Sequence, residues 1–179
     1  VGSEMCIRDR NVICYGMGST LDDVKNAAAA EKNIVCSSAA IKAAEYLKEK
    51  FGTPYEIEYP QSCLPEEIVQ KADNFTDKNV LVIHNQTADD AVRKLITEKS
   101  GKCHCTSATF FMQKKELSQQ SDFFLADESD LCDNVGDNYD VVIADKTLRR
   151  VMKNFSGEFI DFPHFGLSGR LLQGESEKI

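Results

Sequence analysis

"NVLVIHNQTADDAVRKLI" (residues 79–96) decides the fold. Val80, Leu81, Val82 and Ile83 form an unbroken apolar run that is too short for a helix and rich in β-branched side chains. Such a run reads as a strand buried on both faces. His84 and Asn85 end it, Thr87 reads as a helix cap, and Ala91, Leu95 and Ile96 turn inward along the helix that follows. A buried strand feeding an amphipathic helix is the repeating step of a parallel sheet covered by helices on both sides.

The same alternation extends both ways from this step. Upstream, "NVICYGM" (11–17) is an apolar strand, followed by "STLDDVKNAAAA" (19–30), a helix capped by Ser19 or Thr20 with Asp22 and Asp23 at its positive end. "NIVC" (33–36) is the next buried strand. The helix after it sets Ala40, Ala44, Leu47 and Phe51 on one face and stops at Gly52 and Pro54. "PYEIEY" (54–59) reads as a short strand, and "LPEEIVQKADNF" (64–75) as a helix opened by Pro65. Downstream come "KCHCTSATFF" (102–111), "DFFLADESDL" (122–131), "YDVVIAD" (139–145) feeding the helix "KTLRRVMKNF" (146–155), and "EFIDF" (158–162) running into "PHFGLSGRL" (163–171). The expected class is α/β, with Rossmann-like units of parallel sheet flanked by helices. Residues 11–60 read as the tail of a middle unit, 61–77 as a linker, 78–172 as a C-terminal Rossmann-like domain and 173–179 as a tail. "VGSEMCIRDR" (1–10) has no structural period and resembles translated adapter sequence at the end of a gene fragment, so it is set apart. On that reading the protein starts in mid-gene at Asn11, and a cut edge there would bare sheet backbone.

Composition narrows the function. The 179 residues are 42% apolar and 28% charged, with a net charge of −8, which is globular and carries no electrostatic footprint for nucleic acid or an anionic membrane. No apolar run approaches the roughly 20 residues that span a bilayer. The seven cysteines are scattered, apart from Cys103 and Cys105, and without a secretory signal they read as reduced thiols of a cytoplasmic protein.

In an open parallel sheet, ligands gather at the carboxyl ends of the strands. Cys36, His84, Asp127, Asp145 and His164 all fall at such ends. Asp145 reads equally as a helix cap, His84 as a polar strand terminus, and Cys36 as a small residue filling a corner. "CHC" (103–105) has metal-binding residue types, but in a strand its two cysteines face one way and His104 the other. "YGMGST" (15–20) misses the spacing of both the dinucleotide and the P-loop fingerprints. Cys36 and His164 are the pair to follow. A thiolate and an imidazole suit iron chemistry, and Cys36 stands just before a helix N-terminus that favours the thiolate.

"NIVCSSAAIKAAEYLKEKFGTPY" (33–55) resembles a segment of the nitrogenase component 1 family, in which strand, cysteine, helix and a Gly-x-Pro stop recur. The likeness continues through residues 79–96, 122–131 and 139–145 to "FIDFPHFGLSGRL" (159–171). It implies the C-terminal part of an oxidoreductase that reduces a small substrate or a tetrapyrrole-like compound, inactive as this piece alone. It also implies an iron–sulfur cluster or nitrogenase-like metallocluster, with Cys36 and His164 as cofactor and metal ligands. The implied partners are a homologous component 1 subunit and an ATP-dependent iron protein that supplies electrons. Pro163 stands in the family's histidine register, so His164 matches only through a one-residue shift. Ser37, Ser38 and Ala39 replace the larger residues of the nitrogenase pocket. Two other classes share the pattern: a nitrogenase-related scaffold for cofactor assembly, and a metal-chelate-binding module of paired Rossmann architecture.

Overall fold

The computed structural model describes residues 12–13, 19–135 and 138–169. The readings made for residues 1–10 and for the 173–179 tail, and most of the 11–17 strand, lie outside them.

Seven strands and six α-helices alternate along the described chain. Helix α1 (Leu21–Asn26) begins at Thr20, whose side chain accepts from the Asp23 N–H while the Asp23 carboxylate accepts from the Thr20 N–H, a reciprocal cap. Strand β1 (Asn33–Val35) leads through a 3₁₀ turn, Ser38–Ala40, into α2 (Ile41–Phe51). Gly52 ends α2 with φ of 74°, the left-handed geometry that glycine takes without strain. Strand β2 (Tyr55–Ile57) then pairs in parallel with β1 to close a two-stranded sheet. The buried face of α2 is Ile41 and Ala44, with Leu47 half-buried, while Ala40 and Phe51 stay exposed. The inward face is therefore rotated from the expected Ala40–Ala44–Leu47–Phe51 stripe. The 3₁₀ turn at Ser38–Ala40 delays the start of the α-helix and resets which side meets β1.

The larger sheet is wholly parallel, in the order β5-β4-β3-β6-β7. Its strands are β3 (Asn79–Ile83), β4 (His104–Thr109), β5 (Phe123–Phe124), β6 (Val141–Ala144) and β7 (Glu158–Asp161). The chain winds outward from β3 to β4 and β5, then crosses back to lay β6 on the other side of β3. That reversal is the doubly wound switch point of a Rossmann-type α/β fold. Strand period 2 divides the core. Val80 and Val82 face one layer with Ile68 and Phe75, together with Val92 and Ile96 of α4 (Gln86–Ser100). Leu81 and Ile83 face the other, with Leu131 and Val135 of α5 (Glu128–Val135) and with Leu148, Met152 and Phe155. Ile68 belongs to α3 (Glu66–Lys71), which opens after Pro65. Each fully buried side chain of this size contributes about 1.5–3 kcal/mol, so β3 is the element the fold can least spare.

Two expectations shift. The cap of α4 is Asn85, whose Oδ1 accepts from the Ala88 N–H, rather than Thr87. The segment after β6 forms a 3₁₀ helix, Lys146–Arg150, and then turns, rather than a regular α-helix. Gly157 fixes where that connection must end. A Cβ at Gly157 would sit 2.5 Å from the Asp140 carbonyl oxygen and 2.6 Å from the Phe155 ring. Gly157→Ala is therefore expected to destabilise the fold by roughly 1–3 kcal/mol through overpacking, read as a lower urea midpoint with an unchanged m-value.

Candidate functional site

A cavity of about 660 Å³ opens at the carboxyl ends of both sheets. The residues after β1, β3, β4 and β7 all reach it, as does Phe124 of β5. Two hydrogen bonds hold the smaller sheet against the larger one there. Thr87 Oγ1 donates to the Cys36 carbonyl oxygen at 2.5 Å, and Ser38 Oγ donates to the Met112 carbonyl oxygen at 2.8 Å. Val35, Ile41 and Ala44 add an apolar contact with Leu117.

The floor of the site is a run of rings. Phe111 stacks on His164 (4.0 Å between centroids, 13°), and His164 meets His84 edge-on at 4.5 Å. His84 in turn stacks on Phe162 (4.1 Å, 19°). His84 Nε2 lies 3.1 Å from the Pro163 carbonyl oxygen, which can only accept, so Nε2 carries the proton. Its Nδ1 is buried without a partner among the described residues. Burial, then the neighbouring His164 imidazole, push His84 down to about 3, so it is neutral at ordinary pH. Burial also lowers His164, against the pull of the Asp145 carboxylate.

Asp145 organises the loop that carries His164. Its Oδ2 accepts from the His164 N–H at 2.9 Å and from Ser168 Oγ at 2.5 Å, and its Oδ1 accepts from the Thr147 N–H and hydroxyl. Burial alone would raise its carboxyl, but these donors outweigh burial and hold it well below the usual carboxylate range. His164 then caps the short helix α6 (Phe165–Ser168), its Nδ1 accepting from the Gly166 N–H at 3.1 Å. In the neutral ring this places the proton on Nε2.

The structure thus joins His84, Asp145 and His164, three of the five strand-end residues, around one switch point. Asp127 does not join them, because it caps α5 through the Ser129 and Asp130 N–H groups. Cys36 is exposed and outside any disulfide. Its neighbours Ser37, Ser38 and Ala39 line the cavity wall, but Cys36 itself does not. Cys103 and Cys105 pack against the core as half-buried residues, and burial pushes the Cys105 thiol up to about 12, far from a thiolate ligand. Asn85, Phe110, Phe111, Met112 and Phe124 were not singled out in the sequence. The position of Asn85 between a buried strand and its helix was the available signal for it. The aromatic residues carry no comparable mark.

Cys36 and His164 supply donor types that suit a metal. Among the described residues no group of three or more His, Cys, Asp or Glu side chains is placed to hold a metal ion. His164 would have to move its proton to Nδ1 and surrender its cap on Gly166, a cost of about 1 kcal/mol. As folded, it offers an N–H rather than a lone pair.

No protein-family model matches the sequence, and no curated protein matches it. Among solved structures, one described as nitrogenase Cp1 at pH 6.5 is similar, with a TM-score of 0.53 at 16% identity over 90% of this chain. The chain spans 45% of that protein's length. The likeness is one of fold, and it agrees with the nitrogenase-like Rossmann-type architecture read from the sequence. No described helix is long and apolar enough to cross a membrane.

The buried imidazole sets a pH dependence. His84 has a folded pKa below its unfolded value of about 6.5, so its site favours the fold fully above that pH and progressively less toward pH 3. The unfolding free energy is expected to fall as pH drops through this window, and His84→Phe, which keeps a ring on Phe162, should flatten the fall. Asp145→Asn should lower stability by roughly 2 kcal/mol near neutrality, because an amide group replaces an acceptor that faces donors. Chemical denaturation across pH measures both.

Proposed function

We propose that this chain is the C-terminal part of a nitrogenase-like oxidoreductase that reduces a small substrate with electrons from an ATP-dependent iron protein, alongside a homologous subunit. The observation carrying this reading is the cavity at the switch point, built jointly by both sheets and floored by the His164 ring. Fold and sequence resemblance supply the reaction class, and the cavity supplies a place for the substrate. In this role His164 presents an Nε2 proton to the bound molecule, Asp145 positions its loop, and Phe111 fixes the plane of its ring. Preorganised hydrogen-bond donors stabilise charge that builds up on a molecule being reduced.

The test uses the protein that carries this chain. Mixed with a reduced iron protein and ATP, it should oxidise that partner, followed by visible absorbance, in an ATP-dependent manner. His164→Ala should lower substrate turnover at least tenfold. The absence of any ATP-dependent electron uptake sinks the reading and leaves a cofactor-assembly scaffold or a chelate-binding module.

A second reading is favoured by the exposed Cys36 thiol, whose neighbours share a cavity wall with His164. Here Cys36 and His164 anchor an iron–sulfur cluster or related metallocluster, which when bound would supply one-electron chemistry. Anaerobic reconstitution of the chain with iron and sulfide separates the two. The second reading requires visible charge-transfer bands that survive desalting and vanish in both Cys36→Ala and His164→Ala, whereas the first requires none.

A further inference from the structure

The cavity wall has a composition that the rest of the chain does not share. The protein carries 29 acidic residues and a net charge of −8, yet no Asp, Glu, Lys or Arg lines this cavity. Among its polar side chains Gln113 offers both a donor and an acceptor and Ser38 has given its proton to Met112, while three others present donors. Asn85 turns Oδ1 to the Ala88 N–H, which leaves its Nδ2 protons uncommitted among the described residues. Ser37 Oγ accepts from the Ala39 N–H and keeps its own proton to give. His164 Nε2 carries the ring proton once Nδ1 has accepted from Gly166. These three donors come from three separate strand ends. One of them, Asn85, opens the fifteen-residue α4, whose positive end adds to the attraction for an anion. The Asp145 carboxylate beside His164 is not a wall residue, and it accepts from Ser168, His164 and Thr147.

The remaining surface is aromatic and soft. Phe110 and Phe111 are partly exposed, while Met112 and Phe124 are 59% and 50% exposed. Flat rings and a polarisable thioether favour a planar π-surface over a branched aliphatic one. The volume of about 660 Å³ suits a molecule of small-ligand size.

We propose that the cavity binds a planar aromatic carboxylate, its rings against Phe110, Phe111, Met112 and Phe124 and its carboxylate on Ser37, Asn85 and His164. The inference rests on the proposed function only in taking this cavity as the substrate site, and it names the chemical class of that substrate. It involves no redox step, so a binding measurement tests it independently of electron transfer.

Isothermal titration of the chain with 2-naphthoate, 2-naphthamide and heptanoate separates the two recognition elements. The naphthoate is expected to bind one per chain, at least tenfold tighter than the uncharged amide or the ringless acid. Asn85→Asp keeps the Oδ1 acceptor that caps α4 but replaces the donor with a negative oxygen. It should weaken naphthoate at least tenfold and leave naphthamide nearly unchanged, with a cooperative unfolding transition retained. Ser37→Ala should weaken naphthoate by a smaller factor. Naphthamide or heptanoate binding as tightly as naphthoate would overturn the proposal, as would an Asn85→Asp protein that binds naphthoate normally, or no binding by the folded chain. None of these outcomes touches the reductase reading, which stands or falls on electron uptake.

Discussion

The hydroxyl of Thr87 holds the two sheets in register. By donating to the Cys36 carbonyl oxygen, it ties the end of β1 to the first turn of α4. The same hydroxyl lies 2.6 Å from Asn85 Oδ1, so the cap of the central helix and the docking of the smaller sheet share its single proton. Everything called a site above depends on this join, because one wall of the cavity belongs to each sheet.

On the other side of the crevice a carboxylate does comparable work through charge. Asp145 gathers the Thr147 hydroxyl from the connection after β6 and, from beyond β7, the backbone of His164 and the hydroxyl of Ser168. The rings of Phe111, His164, His84 and Phe162 then pass that order inward to the core. His84 is best understood as a neutral, tightly stacked pillar of this arrangement rather than a proton carrier, since burial keeps its second nitrogen unprotonated.

The strands were legible in the sequence because burial on both faces writes an unmistakable apolar run, as at Val80–Ile83 and Val141–Ala144. The strand-end rule points to His84, Asp145 and His164, and equally to Cys36 and Asp127. What sequence could not carry was phase and distance. Thr87 and Asn85 are both good caps, and only the path of the chain into α4 chooses Asn85. The turn at Ser38–Ala40 rotates α2 by changing where the regular helix starts. The aromatic wall is assembled from β5 and the loop after β4, and no local pattern marks Phe111 as the residue that will lie flat on His164. Cys36 illustrates the same limit. Its position at a strand end was read correctly, but which of the neighbouring side chains reaches the cavity is set by the turn that follows.

The strand order also bears on how the chain acquires its shape in time. Asn79 pairs with His104 across 25 residues, whereas Val80 pairs with Val141 across 61. Loop-closure entropy makes the second pairing dearer by about 0.8 kcal/mol before any contact rewards it. Folding is therefore biased to lay β4 on β3 first, with β6 and β7 added to a sheet already half built. Asp145 and His164 ride on those late strands. The crevice is consequently the last part of the molecule to exist, and a chain caught short of it would present the face of β3 meant for β6 to whatever else is in solution.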